Sequence, residues 1–201
     1  MKRICLVTHP QANHTVERRV GGWFDSELTP KGREDARSLQ ERIKSHGFDL
    51  EKLSVFSSDL KRCVQTAEIV FKHSKLKPKF DARLREMSFG THEGISKEEH
   101  ESQMVSVPSR GSRMDHQICV GAESRRLLAT RIQNIVDELM EIEGESLVIT
   151  HGFAATFFIA AFQKIDISSM EYISYQLDPG SISILQEDEI FENRTVLVLN
   201  G

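Results

Sequence analysis

Short apolar runs recur along this chain, separated by stretches whose apolar residues return every three or four positions, and this alternation constrains the fold more than any other feature. Residues 3–8 are nearly continuous in apolar character and end at Thr8-His9, as expected of a strand buried on both faces of a parallel or mixed sheet. Leu53-Ser54-Val55-Phe56-Ser57 and Ser146-Leu147-Val148-Ile149-Thr150 read the same way. Between them lie helical signals. Thr29-Pro30 offers an N-cap followed by proline at the first helical position, then Ala36, Leu39 and Ile43 at helical spacing, and Gly47 where a helix would stop. Ser58 or Asp59 is placed to cap a helix with the stripe Cys63, Ala67 and Val70. Ser124 opens a long amphipathic helix through Leu127, Leu128, Ile132, Ile135, Val136 and Leu139, closed by Gly144.

The remaining segments complete the pattern. Residues 153–163 predict an apolar helix in which Phe153, Phe157, Phe158 and Phe162 face a core, and residues 181–186 and 194–199 predict two closing strands. Residues 75–122 are rich in charge, Ser and Gly and carry Pro78 and Pro108; they yield only a short extended piece near residue 80 and a helix near residue 97. Strands alternating with helices imply an α/β fold: a three-layer αβα sandwich with a mostly parallel central sheet. At 201 residues, with no linker, repeat or low-complexity segment, the expectation is a single domain over 1–201.

Composition narrows the function classes. A formal net charge of −4 supplies no general field for nucleic acid or acidic lipid, so an anion site must be assembled from a few local cations. The apolar run at the start is well short of a signal-peptide core, and the run 153–162 is far below the roughly 20 residues needed to cross a bilayer. No membrane or nucleic-acid partner is expected. Cys5, Cys63 and Cys119 are odd in number and widely spaced, which fits buried reduced thiols in a cytoplasmic protein rather than a disulfide framework or metal knuckle. His92, Glu98, Glu99 and His100 match no standard zinc spacing and read as a solvated segment.

Three polar clusters follow directly on predicted strands: Thr8-His9, Ser57-Ser58-Asp59 leading to Arg62, and His151-Gly152. In open α/β sheets ligands bind beyond the carboxyl ends of the strands, so these clusters can share one crevice. Arg62 falls in the first turn of its helix, where free amides and a guanidinium fork both suit phosphate.

Further segments carry a specific likeness. Thr8-His9-Pro10-Gln11-Ala12 is followed by Arg19, Gly22-Trp23, Asp25 and Leu28-Thr29-Pro30-Lys31-Gly32-Arg33-Glu34-Asp35-Ala36. Then come Ser57-Ser58-Asp59-Leu60-Lys61-Arg62-Cys63-Val64-Gln65-Thr66-Ala67 and Leu84-Arg85-Glu86-Met87-Ser88-Phe89-Gly90-Thr91-His92-Glu93-Gly94. Gly121-Ala122-Glu123-Ser124 and Val148-Ile149-Thr150-His151-Gly152 complete the order. Over nearly its whole length the chain resembles the histidine phosphatase superfamily, the phosphoglycerate mutase-like fold. The resemblance implies a histidine acid phosphatase-like phosphomonoesterase: His9 attacks phosphorus, Arg62 and His151 bind the phosphoryl oxygens, and Glu86 donates the proton. Thr8, Arg19 and Gly152 are implied to contact substrate. It further implies a small phosphorylated substrate, no metal or other cofactor, and a monomer or homodimer. The short segment after Glu86 lacks the basic, aromatic insertion of mutases, which favours hydrolysis over the phosphoglycerate mutase alternative.

One departure stands out. The family pattern begins Arg-His-Gly, whereas Thr8 and Pro10 stand here, and Ala12 and Thr15 replace a family Thr and Asn. Losing a charge-assisted contact of that kind is worth about 1.5–3 kcal/mol, and losing one donor to a transition-state oxyanion costs on the order of a hundred- to a thousandfold in turnover. The expectations are therefore a slow enzyme or a catalytically silent phosphate-ligand or protein-binding relative, compensation by Arg18 or Arg19, and a gain of activity on Thr8→Arg.

Overall fold

The computed structural model describes residues 2–107 and 112–201, so Pro108 lies outside the described residues. The first strand β1 (Lys2–Thr8) is followed by a one-turn helix α1 (Asn13–Val16) and by α2 (Pro30–Ser45). Thr29 caps α2 as its sequence predicts, accepting a hydrogen bond from the Gly32 amide at 3.0 Å. Strand β2 (Ser54–Ser57), α3 (Lys61–Val70) and the two-residue β3 (Lys79–Phe80) come next. They are followed by α4 (Lys97–Gln103), α5 (Arg125–Glu141), β4 (Ser146–Thr150) and α6 (Gly152–Phe162). Strands β5 (Ile182–Glu187) and β6 (Arg194–Val198) close the chain.

The sheet order is β3-β2-β4-β1-β5-β6. Strands β1 to β4 pair in parallel, while β5 lies antiparallel to both β1 and β6. Alternate residues of the buried strands feed two separate cores, as period-2 geometry dictates. Ile4, Leu6 and Val148 pack with α5 and α6 on one face, and Cys5, Val7, Leu147 and Ile149 pack with α2 and α3 on the other. The three-layer expectation is met. All three cysteines are free and buried, and burial holds the Cys5 and Cys63 thiols protonated, each pushed up to about 12.

Two local readings change. Neither Ser58 nor Asp59 caps α3: its N-cap is Leu60, and the Lys61 amide is taken at 2.6 Å by Asp25, a residue from a distant loop. Asp59 instead pairs with Arg85 at 2.6 Å. Leu127 is 55% exposed although its helical stripe is buried, because it sits one residue, or about 100°, off the line through Leu128, Ile132 and Ile135.

Candidate active site

Parallel pairing sets Thr8 of β1 beside Thr150 of β4, and Ser57 of β2 beside Ile149 of β4, so three strand ends terminate side by side. The chain leaving each one carries a site residue. The His9 amide donates to the Thr150 carbonyl at 2.9 Å and the Ser58 amide to the Ile149 carbonyl at 2.9 Å, which continues the ladder just past the strands.

His9, Arg62 and His151 meet there. The His9 and His151 ring centroids are 5.1 Å apart, and Arg62 Nε lies 3.2 Å from both His9 Nε2 and His151 Nδ1. Hydrogen bonds fix the tautomers, because a carbonyl can only accept. His9 Nδ1 is 2.7 Å from the Pro10 carbonyl, so it carries the proton and Nε2 keeps a lone pair. His151 Nε2 lies 2.8 Å from Ser58 Oγ and donates to it, leaving Nδ1 to accept from Arg62. One guanidinium N–H is thus shared between two neutral imidazoles. Burial, then the Arg62 charge, holds both histidines well below the usual imidazole range.

Arg62 itself is buried and strapped from the other side by the carbonyls of Phe24, at 2.9 Å, and Gly22, at 2.7 Å. Gly22 has φ +47, and a Cβ there would lie 2.7 Å from Glu93 Oε2, so the strap requires glycine. Glu93 ties this loop to the segment bearing Glu86, accepting from the Phe24 and Phe89 amides at 2.7 Å each.

Glu86 is held at the N-terminus of α6: its carboxylate accepts from the Phe153 amide at 3.1 Å and the Ala154 amide at 3.0 Å, as well as from Met87. Those contacts favour the anion, yet desolvation outweighs them and raises its pKa, which suits a proton donor. Its backbone carbonyl receives Trp23 Nε1 and Arg131 Nη2, both at 2.7 Å. Arg131, which sequence reasoning did not single out, also reaches the Arg83 and Arg85 carbonyls and the Glu123 carboxylate, so it ties the backbone around Glu86 to α5.

His9, Arg62 and Glu86 open into a cavity of about 350 Å³ that also takes in His14, Arg19 and Lys97. His14 was not singled out from sequence. It donates or accepts at Ser26 Oγ at 2.5 Å, its ring is 6.2 Å from that of His9, and burial, Arg62 and Lys97 depress it to about 4. Lys97, also unforeseen, has no ion pair among the described residues and is the first residue of α4.

The other predicted contacts distribute differently. His151 is fully buried behind His9 and does not line the cavity, nor does Gly152, which opens α6. Thr8 is 4% exposed and turned away: its hydroxyl donates to the Asp178 carbonyl at 2.6 Å and accepts from the Ser181 amide at 3.1 Å. Arg18 points outward onto Glu98 at 2.8 Å. Arg19 lines the cavity, but its guanidinium is engaged by Glu17 and the Gly94 carbonyl. Phe153 lines the cavity as well, whereas Phe157, Phe158 and Phe162 are core as expected.

Comparison with known proteins shows the family and the fold. Residues 4–199 match the family model described as histidine phosphatase superfamily (branch 1). A Salmonella paratyphi A protein named "Probable phosphoglycerate mutase GpmB" is 32% identical over 163 residues, covering 77% of this chain and 71% of the relative. Among solved structures, a mycobacterial glucosyl-3-phosphoglycerate phosphatase in complex with VO3 superposes with TM-score 0.81 at 24% identity, covering all of both chains. The alpha-ribazole phosphatase from Shigella flexneri gives TM-score 0.80 at 22% identity, covering 99% of this chain and 96% of its own.

Proposed function

Because the chain belongs to the histidine phosphatase superfamily, branch 1, we propose that it is a phosphomonoester hydrolase of the histidine acid phosphatase-like kind, working through a phosphohistidine on His9. One observation carries the reading: the Pro10 carbonyl holds the His9 Nδ1 proton, so the Nε2 lone pair faces Arg62 at the floor of an open cavity.

In the proposed reaction an incoming phosphoryl group draws the Arg62 N–H away from His9 Nε2, which then attacks phosphorus as the ester P–O bond breaks. Protonated Glu86 gives its proton to the leaving oxygen. Water next attacks the phosphohistidine, returns a proton to Glu86, and the P–N bond breaks to release phosphate. His151 acts as a positioning residue, keeping its hold on Arg62 Nε as the N–H leaves His9.

The turnover proposed is slow, about a hundred- to a thousandfold below that of a site keeping an arginine at the Thr8 position. Thr8 gives its hydroxyl to the 178–181 segment and Arg19 is held by Glu17 and the Gly94 carbonyl, so Lys97 stands at the cavity as the available substitute. Burial of three free thiols fits the reducing cytoplasm, and the site is read as metal-independent, in a monomer or homodimer.

Two other readings have specific support. The 32% identical relative named for phosphoglycerate mutase favours phosphoryl transfer within phosphoglycerate. The strapped Arg62 and the inward Thr8 favour a silent phosphate binder. Incubating the purified protein with p-nitrophenyl phosphate and a panel of phosphorylated metabolites, beside His9→Ala, separates them. Phosphate release lost in His9→Ala supports hydrolysis; interconversion of 3- and 2-phosphoglycerate without release supports a mutase. No turnover, with vanadate still raising the melting temperature, supports the binder.

A further inference from the structure

A second cavity, of about 250 Å³, shares the Phe89 and Phe153 walls with the first and is lined by two arginines, Arg113 and Arg125. Each guanidinium is laid on a ring: Arg113 over Tyr172 at 4.8 Å and Arg125 over Phe153 at 5.1 Å. Their hydrogen bonding is incomplete. Arg113 Nε is buried with no partner, and among the described residues the Arg113 side chain makes no hydrogen bond or ion pair. Among the described residues Arg125 reaches only the Glu171 backbone carbonyl, at 3.0 Å. Burial and the charge of Arg113 both lower the Arg125 pKa, so the two cations work against each other.

The surrounding groups do not relieve this. Asp115 is bound by Arg126 at 2.6 Å, His116 Nε2 donates to the Val105 carbonyl at 2.9 Å, and the Glu171 carboxylate, which accepts from Ser112 at 3.1 Å, forms no ion pair with Arg113 or Arg125 among the described residues. A buried donor without an acceptor is costly, and so are two like charges sharing a half-buried pocket without a counter-charge. One anion answers both. The rest of the lining, Met87, Phe89, Val107 and Ile118, is apolar.

We propose that the Arg113–Arg125 cavity is a binding site for an organic anion, a carboxylate or phosphate carried on an apolar or aromatic body, distinct from the phosphoryl site at His9. The anion is either the far end of the phosphorylated substrate or a separate molecule, and both have the same chemistry at these arginines.

Benzoate and its neutral counterpart benzyl alcohol are the probes, titrated calorimetrically into the full chain and into Arg113→Gln, Arg125→Gln, Arg113→Lys and Lys97→Gln. Benzoate is expected to bind saturably, at least about tenfold more tightly than benzyl alcohol, with a loss of about tenfold in either Gln variant and partial retention in Arg113→Lys. Circular dichroism and melting temperature verify that each variant folds. Benzoate binding that is unchanged by both Gln variants, or absent in the parent chain, or lost only in Lys97→Gln, overturns the proposal. None of these readouts needs turnover, so failure of the hydrolase reading leaves this test intact. A kinetic arm separates the sources. If the site holds the far end of the substrate, hexane-1,6-diol bisphosphate has a higher kcat/KM than hexyl phosphate in the parent chain, and the gap closes in Arg113→Gln. If it holds a separate molecule, there is no gap and benzoate changes kcat for hexyl phosphate; either result supports the site.

Discussion

At the residue scale, the proposed hydrolysis turns on a lone pair and a proton. His9 Nε2 is unprotonated because burial and Arg62 hold the ring neutral, so in the proposed reaction it keeps its lone pair to well below the ordinary imidazole pKa of about 6.5. Glu86 runs the other way: burial raises its pKa, so the acid form persists above the ordinary value of about 4.3 and is lost as pH rises through the raised one. Hydrolysis of an alkyl phosphate is therefore expected to decline on the alkaline side with Glu86. Glu86→Gln should remove that limb and cut kcat about 10²–10⁴-fold, with a smaller loss on p-nitrophenyl phosphate, whose leaving group needs less protonation. Equal losses on both substrates would show that Glu86 is not the donor. Thr8 belongs to the same scale. With its hydroxyl committed to Asp178 and Ser181, Thr8→Arg would drive a long cation into a packed site, so the gain of activity expected from sequence alone is withdrawn. Thr8→Val should instead cost about 1–3 kcal/mol in denaturant unfolding and leave kcat/KM near that of the parent.

At the element scale, α2 and α6 position the site through their N-termini. The amides opening α6 hold the Glu86 carboxylate, and the start of α2 meets the loop that follows His9, the Thr29 amide donating to the Gln11 carbonyl at 3.0 Å. A Cβ at Gly32 would lie 2.0 Å from the Gln11 carbonyl oxygen, two residues beyond His9. Gly32→Ala gains at most about 1 kcal/mol of helix propensity, and the overlap must push α2 and the loop apart. The expected result is a lower melting temperature together with reduced turnover; a melting temperature at or above the parent's would show that the contact yields freely.

At the scale of the whole molecule, His9, His14 and His151 are neutral in the folded state and depressed below their unfolded values, His14 to about 4. A depressed basic group contributes stability that is complete above about pH 6.5 and is lost as pH falls below it, because the unfolded chain binds the proton first. Glu86, with a raised value, contributes in the opposite sense, gaining stability as pH falls through its titration. Melting temperature is expected to drop from pH 7.5 to 5, and His14→Asn should make that drop shallower. A slope unchanged in His14→Asn would mean that this ring is not the titrating group.

The sequence determined the layers and the meeting place. Alternating apolar runs and helical stripes are local properties, written within a few residues, and they carried the strands, the long helices and the strand-end positions of His9, Arg62 and His151. Only the tertiary structure decided where side chains point and what they share. Arg62 divides one N–H between two rings, Asp25 rather than Ser58 or Asp59 serves α3, Thr8 turns to the 178–181 segment, and Arg113 meets Arg125. Each joins residues far apart in the chain, where no local periodicity records which partner will be in reach.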